Sequence, residues 1–123
     1  MDIAYTEQQR AIEESVGKIC ARFGDDYWST LDEEARFPHE FHKAMADGGW
    51  LGIAMPPEYG GAGLGVTEAA IMMHTVGRGG GGYAAASSIH LNIFGPHPIV
   101  VHGTDEQKAR FLPPLIKGEQ KAC

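Results

Sequence analysis

The chain has 123 residues, enough for one domain with a single modest core, and its 43% apolar and 21% charged content excludes a low-complexity chain. A formal net charge of −6, with no basic patch carrying interleaved aromatics, argues against nucleic acid or an anionic membrane surface as partner. Two cysteines, Cys20 and Cys123, cannot make a disulfide framework, and Met1-Asp2 opens no secretory signal, so a reduced, cytoplasmic setting is expected.

Thr6-Glu-Gln-Gln9 is a capping-box pattern, and Ile12, Val16, Ile19 and Phe23 follow at spacings of one helical face. Arg10, Glu13, Glu14 and Lys18 take the solvated face, and Gly24 supplies a stop. Asp25 to Arg36 is acidic and irregular, anchored by Tyr27, Trp28 and Leu31. Pro38 suits the first turn of a second helix with Phe37, Phe41, Ala44 and Met45 inward, ended by Gly48-Gly49. Trp50, Leu51 and Ile53 then re-enter the core. Met55-Pro-Pro-Glu-Tyr-Gly-Gly-Ala-Gly-Leu64 holds two prolines and three glycines, which forbid a regular ladder and require a loop of defined shape.

Thr67 is positioned to cap a third helix, with Ala69, Met72, Met73 and Val76 inward, broken at Gly79–Gly82. Between Arg78 and Asp105 there is no Asp, Glu, Lys or Arg. A helix from about Tyr83 through this uncharged stretch is apolar or small on nearly every side, which marks it as the buried hub of the fold. Ser87, Ser88, His90, Asn92, Pro96, His97 and Pro98 interrupt it too often for a membrane span. Gly95-Pro96 breaks the hub, a short helical piece restarts at Pro98, and Gly103 ends it. Thr104-Asp-Glu-Gln107 is a second capping box, opening a helix that carries Phe111 and Leu112 inward and is broken or kinked at Pro113-Pro114. No hairpin signal occurs, so the fold expected is all-α, an orthogonal up-and-down bundle of about five to six helices. Glu119 to Cys123 reads as a cut rather than a natural terminus.

Several patterns invite chemistry. Gly79–Gly82 with Ala84 matches a dinucleotide-binding spacing in letters alone, because that motif needs a strand before it and here a helix precedes it. His39 and His42 lie three apart, not the four of a zinc-protease helix, and with His97 and His102 they lack supporting cysteines, so no metal site is expected. No residue is marked as a nucleophile, and Glu58 is the one acid inside the structured loop. His90 stands out because it lies on the hub, where a core histidine satisfied by a neighbour competes with one lining a ligand cavity. Ser87, His90, Leu91 and Phe94 share its face.

Two stretches carry a resemblance. Met55-Pro-Pro-Glu-Tyr-Gly-Gly-Ala-Gly-Leu64 resembles the Pro-x-Glu-Tyr-Gly-Gly-x-Gly loop of the acyl-CoA dehydrogenase family. His102-Gly-Thr-Asp-Glu-Gln-Lys-Ala-Arg-Phe-Leu-Pro-Pro-Leu-Ile-Lys-Gly-Glu119 is similar to that family's Gly-Thr-x-Glu-Gln-Lys segment with its following Leu-Pro and Gly-Glu. The resemblance implies that residues 1–123 are the N-terminal α-helical domain of an FAD-dependent flavoprotein, whose middle β-domain and C-terminal helical domain are not in this sequence. It implies oxidation of an acyl-CoA to the trans-2-enoyl-CoA, with an electron acceptor such as electron-transfer flavoprotein and a homo-oligomeric assembly. Most flavin-binding residues and the catalytic glutamate would belong to the other domains, so the piece alone is expected to be inactive and to hold no FAD. Its own share would be to wall the acyl-chain cavity, with Ser87, His90, Leu91 and Phe94 as the substrate-pocket residues by position. Pro57 and the Gly79–Gly82 run depart from the family pattern. An acyl-CoA oxidase-like relative, or a free-standing helical binding or scaffold module, are the alternatives.

Overall fold

The computed structural model describes residues 4–123. Among them are seven α-helices: α1 (Glu7–Cys20), α2 (Asp25–Glu34), α3 (His39–Asp47), α4 (Val66–Gly77), α5 (Gly82–Phe94), α6 (His97–His102) and α7 (Asp105–Ile116). Two single 3-10 turns, Trp50–Gly52 and Pro57–Tyr59, sit between α3 and α4, and the described residues form no strand. The all-α expectation holds, with one helix more than the sequence suggested.

The extra helix is α2. Its apolar residues Tyr27, Trp28 and Leu31 do lie on one face, but five acids dilute the stripe, and only Leu31 is fully buried. Asp25 and Asp26 stand in its first turn, where the exposed amides favour negative charge. Gly24 is therefore not the stop of α1 but the residue that opens α2. The aromatic rings hold α2 in place: Phe23, Tyr27, Trp28 and Phe41 contact one another at centroid distances of 4.9 to 5.5 Å, mostly edge to face. The Trp28 indole also donates to the Phe23 carbonyl at 3.0 Å.

Both capping boxes form. Thr6 accepts from the Gln9 amide at 3.2 Å and Thr104 from the Gln107 amide at 3.2 Å, each glutamine reaching back to the threonine amide. The cap of α4 differs from expectation: Gly65 precedes the helix, and its amide donates to Glu68 at 3.1 Å, so Thr67 lies inside the first turn. Gln9 also donates to the other Glu68 oxygen at 3.0 Å, tying the start of α1 to the start of α4.

α4 lies between α1 and α5, and its buried Ala69, Met72 and Val76 meet Ile12 and Val16 from one side and Ala85, Ile89 and Ile93 from the other. Phe41, Met45, Leu51 and Ile53 close this main core. A second cluster, Met55 with Leu112 and Ile116, packs α7 onto the Met55–Leu64 loop. The two stretches that carry the family resemblance are thus one packed unit. α7 also continues past Pro113 and Pro114 to Ile116 instead of breaking. The carbonyls that lose their partners there belong to Ala109 and Arg110, both exposed and open to water. Buried Leu112, Leu115 and Ile116 offset a cost of about 3 kcal/mol for a proline in a helix.

Candidate functional site

The loop that cannot be helix or strand satisfies its amides by lacing onto the preceding turn. Ala62 donates to the Gly52 carbonyl at 2.9 Å, Gly63 to Met55 at 2.8 Å and Leu64 to Ile53 at 3.0 Å. Gly61 is required by contact: a Cβ there would lie 2.1 Å from the Met55 carbonyl oxygen. With α7 packed on its outer side, the loop is a rigid brace beneath the main core.

α5 differs from the expectation of a helix buried all round. Its inner face carries Ala85, Ile89, Asn92 and Ile93, all buried. Its outer face is open: Tyr83 is 86% and Leu91 45% exposed, and Ser87 and His90 are exposed as well. Lack of charge showed that the helix tolerates burial on every side; it could not show which side these 123 residues cover. α4 and the main core cover one side only.

On the open side Ser87, His90 and Leu91 line a depression of about 320 Å³ together with Tyr83, Ala86 and Met73. Phe94 lies one turn beyond, half-buried against the main core, with its ring 5.4 Å from that of His90. The structure therefore brings three of the four sequence-chosen residues around one groove and puts the fourth beside it. Tyr83 and Ala86 were missed, although Tyr83 stands one turn before Ser87 on the same face. Met73 comes from α4, and no spacing along the chain could assign it to this groove. A larger depression of about 490 Å³, between α1, Trp50 and the Gly60–Leu64 segment, touches none of these residues.

Neither histidine pattern makes a metal centre: among the described residues no three His, Cys, Asp or Glu side chains converge. His42 is instead a core residue, 3% exposed, whose Nε2 has no hydrogen-bond partner. Burial, and then charge repulsion from Lys121 and His39, push its pKa below the ordinary histidine value.

The glycine run does not suit a dinucleotide. It follows α4 rather than a strand, and a Cβ at Gly81 would lie 2.4 Å from the Trp28 indole, so Gly81 serves the packing of α2 against the start of α5. Arg78, the nearest cation in sequence, is paired with Glu13 at 2.7 Å. The glycine run, with Arg78 already paired, therefore does not form a dinucleotide-type phosphate turn. What the domain offers is an uncharged groove of mixed apolar and hydroxyl or imidazole character. No described helix is long and apolar enough to cross a membrane.

A family model described as acyl-CoA dehydrogenase, N-terminal domain, matches residues 6–119. A 3-(aryl)acrylate reductase of Clostridium sporogenes is 34% identical over 94% of this chain and 30% of its own length. An acryloyl-CoA reductase (NADH) of Anaerotignum propionicum is 35% identical over 96% of this chain and 29% of its own. Among solved structures, a chain from work on the electron transferring flavoprotein of Acidaminococcus fermentans and flavin-based electron bifurcation superposes with a TM-score of 0.84 at 27% identity, covering 96% of this chain and 31% of that one. The chain thus spans about 30% of the length of the curated relatives it matches.

Proposed function

The chain belongs to the acyl-CoA dehydrogenase family, and we propose that residues 1–123 are the N-terminal domain of an FAD-dependent enzyme that oxidises an acyl-CoA thioester to the trans-2-enoyl-CoA. The observation that carries this reading is the open, uncharged face of α5, with Ser87, His90 and Leu91 around one groove. An acyl chain needs a water-poor slot, and excluding water also protects the chemistry beside it. In this reading the groove is one wall of that slot, and Phe94 steadies the His90 ring at its end. The lining residues include no carboxylate; in this reading the base that removes the α-proton belongs to another domain, as do the residues that hold FAD. The domain by itself is inactive and holds no flavin. The whole enzyme is a cytoplasmic homo-oligomer that passes electrons to an electron-transfer flavoprotein.

One observation favours a second reading, reduction of an enoyl thioester in the reverse direction: two relatives of 34% and 35% identity are named as reductases. The test is the full-length protein, purified with its flavin. Bleaching of the flavin by butanoyl-CoA, with reoxidation by electron-transfer flavoprotein, is the expected result. Consumption of NADH with acryloyl-CoA and no bleaching by saturated thioesters would favour the reductase. No flavin and no response to any CoA ester would reject both.

A further inference from the structure

Tyr83, Ser87 and His90 stand at spacings of four and three along α5, so their polar groups form one stripe down the groove. None of the three side chains has a hydrogen-bond partner among the described residues. The neighbouring Ser88 is different, since its hydroxyl donates to the Ala85 carbonyl at 2.7 Å and is used up within the helix. Met73, Ala86 and Leu91 supply apolar walls on either side of the stripe. The His90 ring leans on Phe94 at 5.4 Å, a contact that orients it without occupying either ring nitrogen.

Such a groove suits a carbon chain along its walls and a polar atom at its stripe. Once an occupant and the rest of the enzyme exclude water, each polar group without a partner weakens binding. A plain alkyl chain leaves two or three groups in that condition; a chain bearing a hydroxyl or carbonyl can satisfy at least one. Sites that offer hydrogen bonds reject analogues lacking the group far more strongly than apolar slots reject an added one. We propose that this groove selects acyl groups carrying a hydrogen-bonding substituent over plain alkyl groups of equal length, with Ser87 and His90 as the specificity-determining residues. The inference rests on the reading of this face as the acyl-slot wall.

The experiment uses the full-length holoprotein and matched CoA esters: butanoyl, hexanoyl and octanoyl, each with its ω-hydroxy counterpart. Dissociation constants come from calorimetry and, where turnover occurs, kcat/KM from steady-state rates. At one chain length the hydroxylated ester is expected to be favoured about tenfold, the value of one good hydrogen bond. Ser87→Ala and His90→Leu should each shrink that preference several-fold, and the double variant should abolish it while tightening the alkyl esters. Both residues are exposed in this domain, and flavin absorbance with circular dichroism checks that the variants fold. If the substitutions move alkyl-length preference but no hydroxyl preference exists in the parent, the inference falls and the wall reading stands. If no ester responds to either substitution, the wall reading falls and takes the inference with it.

Discussion

The side-chain carbonyl of Asn92, 2% exposed on the inner face of α5, accepts a hydrogen bond from the Ala122 amide at 3.0 Å. Its amide nitrogen donates to the Gln120 carbonyl at 3.0 Å and the Leu115 carbonyl at 3.3 Å. One buried side chain thereby fixes the segment after α7, helped by Lys121 lying 5.0 Å over the Phe37 ring. The helix whose outer face bears the groove uses its inner face to hold the segment that follows α7. Asn92→Leu should remove all three bonds and leave their backbone partners bare, costing about 2–4 kcal/mol in urea unfolding of the chain. Hydrogen exchange at the Ala122 amide should speed up in the variant, and unchanged protection there would contradict the role given to Asn92.

His42 predicts an acid-sensitive core. Its folded pKa lies below the ordinary 6.5, so the unfolded state binds the extra proton. Its contribution to stability is present above about 6.5 and is lost as pH falls. His42→Leu should flatten that loss. It should also add about 1 kcal/mol at neutral pH, because an orphaned nitrogen is replaced by a side chain that needs no partner. Denaturation midpoints measured from neutral pH downward decide it; a variant with the parent's acid slope would show that another group is responsible.

Glu40 predicts a second, lower window. Its own backbone amide, the Tyr27 hydroxyl at 2.9 Å and Arg36 at 3.0 Å hold its carboxyl down to about 2. The stabilisation is therefore present above the ordinary value of 4.5 and disappears as pH falls toward about 2. Carboxyl chemical shifts should report that low midpoint, and Glu40→Gln should remove the corresponding acid transition. A Glu40 titrating near 4.5 would mean that Tyr27 and Arg36 do not hold it.

Gly61→Ala tests the brace. The new Cβ would meet backbone, the Met55 carbonyl at 2.1 Å, which cannot swing aside as a side chain can. The loop would have to give up its bonds to Gly52, Ile53 and Met55, and a loss of about 3 kcal/mol or more is expected. Gly17→Ala, with open space around it in the middle of α1, is the control and should be neutral or slightly stabilising. Equal thermal midpoints for the two variants would refute the close-contact account.

For the proposed acyl wall, His90→Phe or Leu91→Trp in the full-length enzyme should move the preferred chain length toward shorter acyl groups, by roughly tenfold in kcat/KM for the longest substrates. Flavin content should change little, since this groove contacts the acyl group in the proposal. Kinetics that stay the same across acyl lengths would reject these residues as the wall.

Much of the fold was legible because its signals are local. A threonine and a glutamine three apart define a cap wherever they occur, and apolar spacing of three and four defines a helix face, so α1, α3, α4 and α7 could be read directly. α2 was not, because five acids hid a three-residue stripe whose stability comes from Phe23, Phe41 and Gly81, residues outside it. The prolines of α7 misled for the same reason: local cost argued for a break, and burial of Leu112 and Ile116 against Met55 overrode it.

The candidate site divides along the same line. Spacing alone put Ser87, His90, Leu91 and Phe94 on one face of one helix, and the missing charges from Arg78 to Asp105 marked that helix as unusual. Which face α4 would cover, that Met73 would join the groove, and that Asn92 would turn inward to hold Gln120 and Ala122 depended on contacts between residues far apart in the chain. Periodicity fixes a side chain's direction relative to its own helix axis; only packing fixes that axis relative to the rest of the molecule.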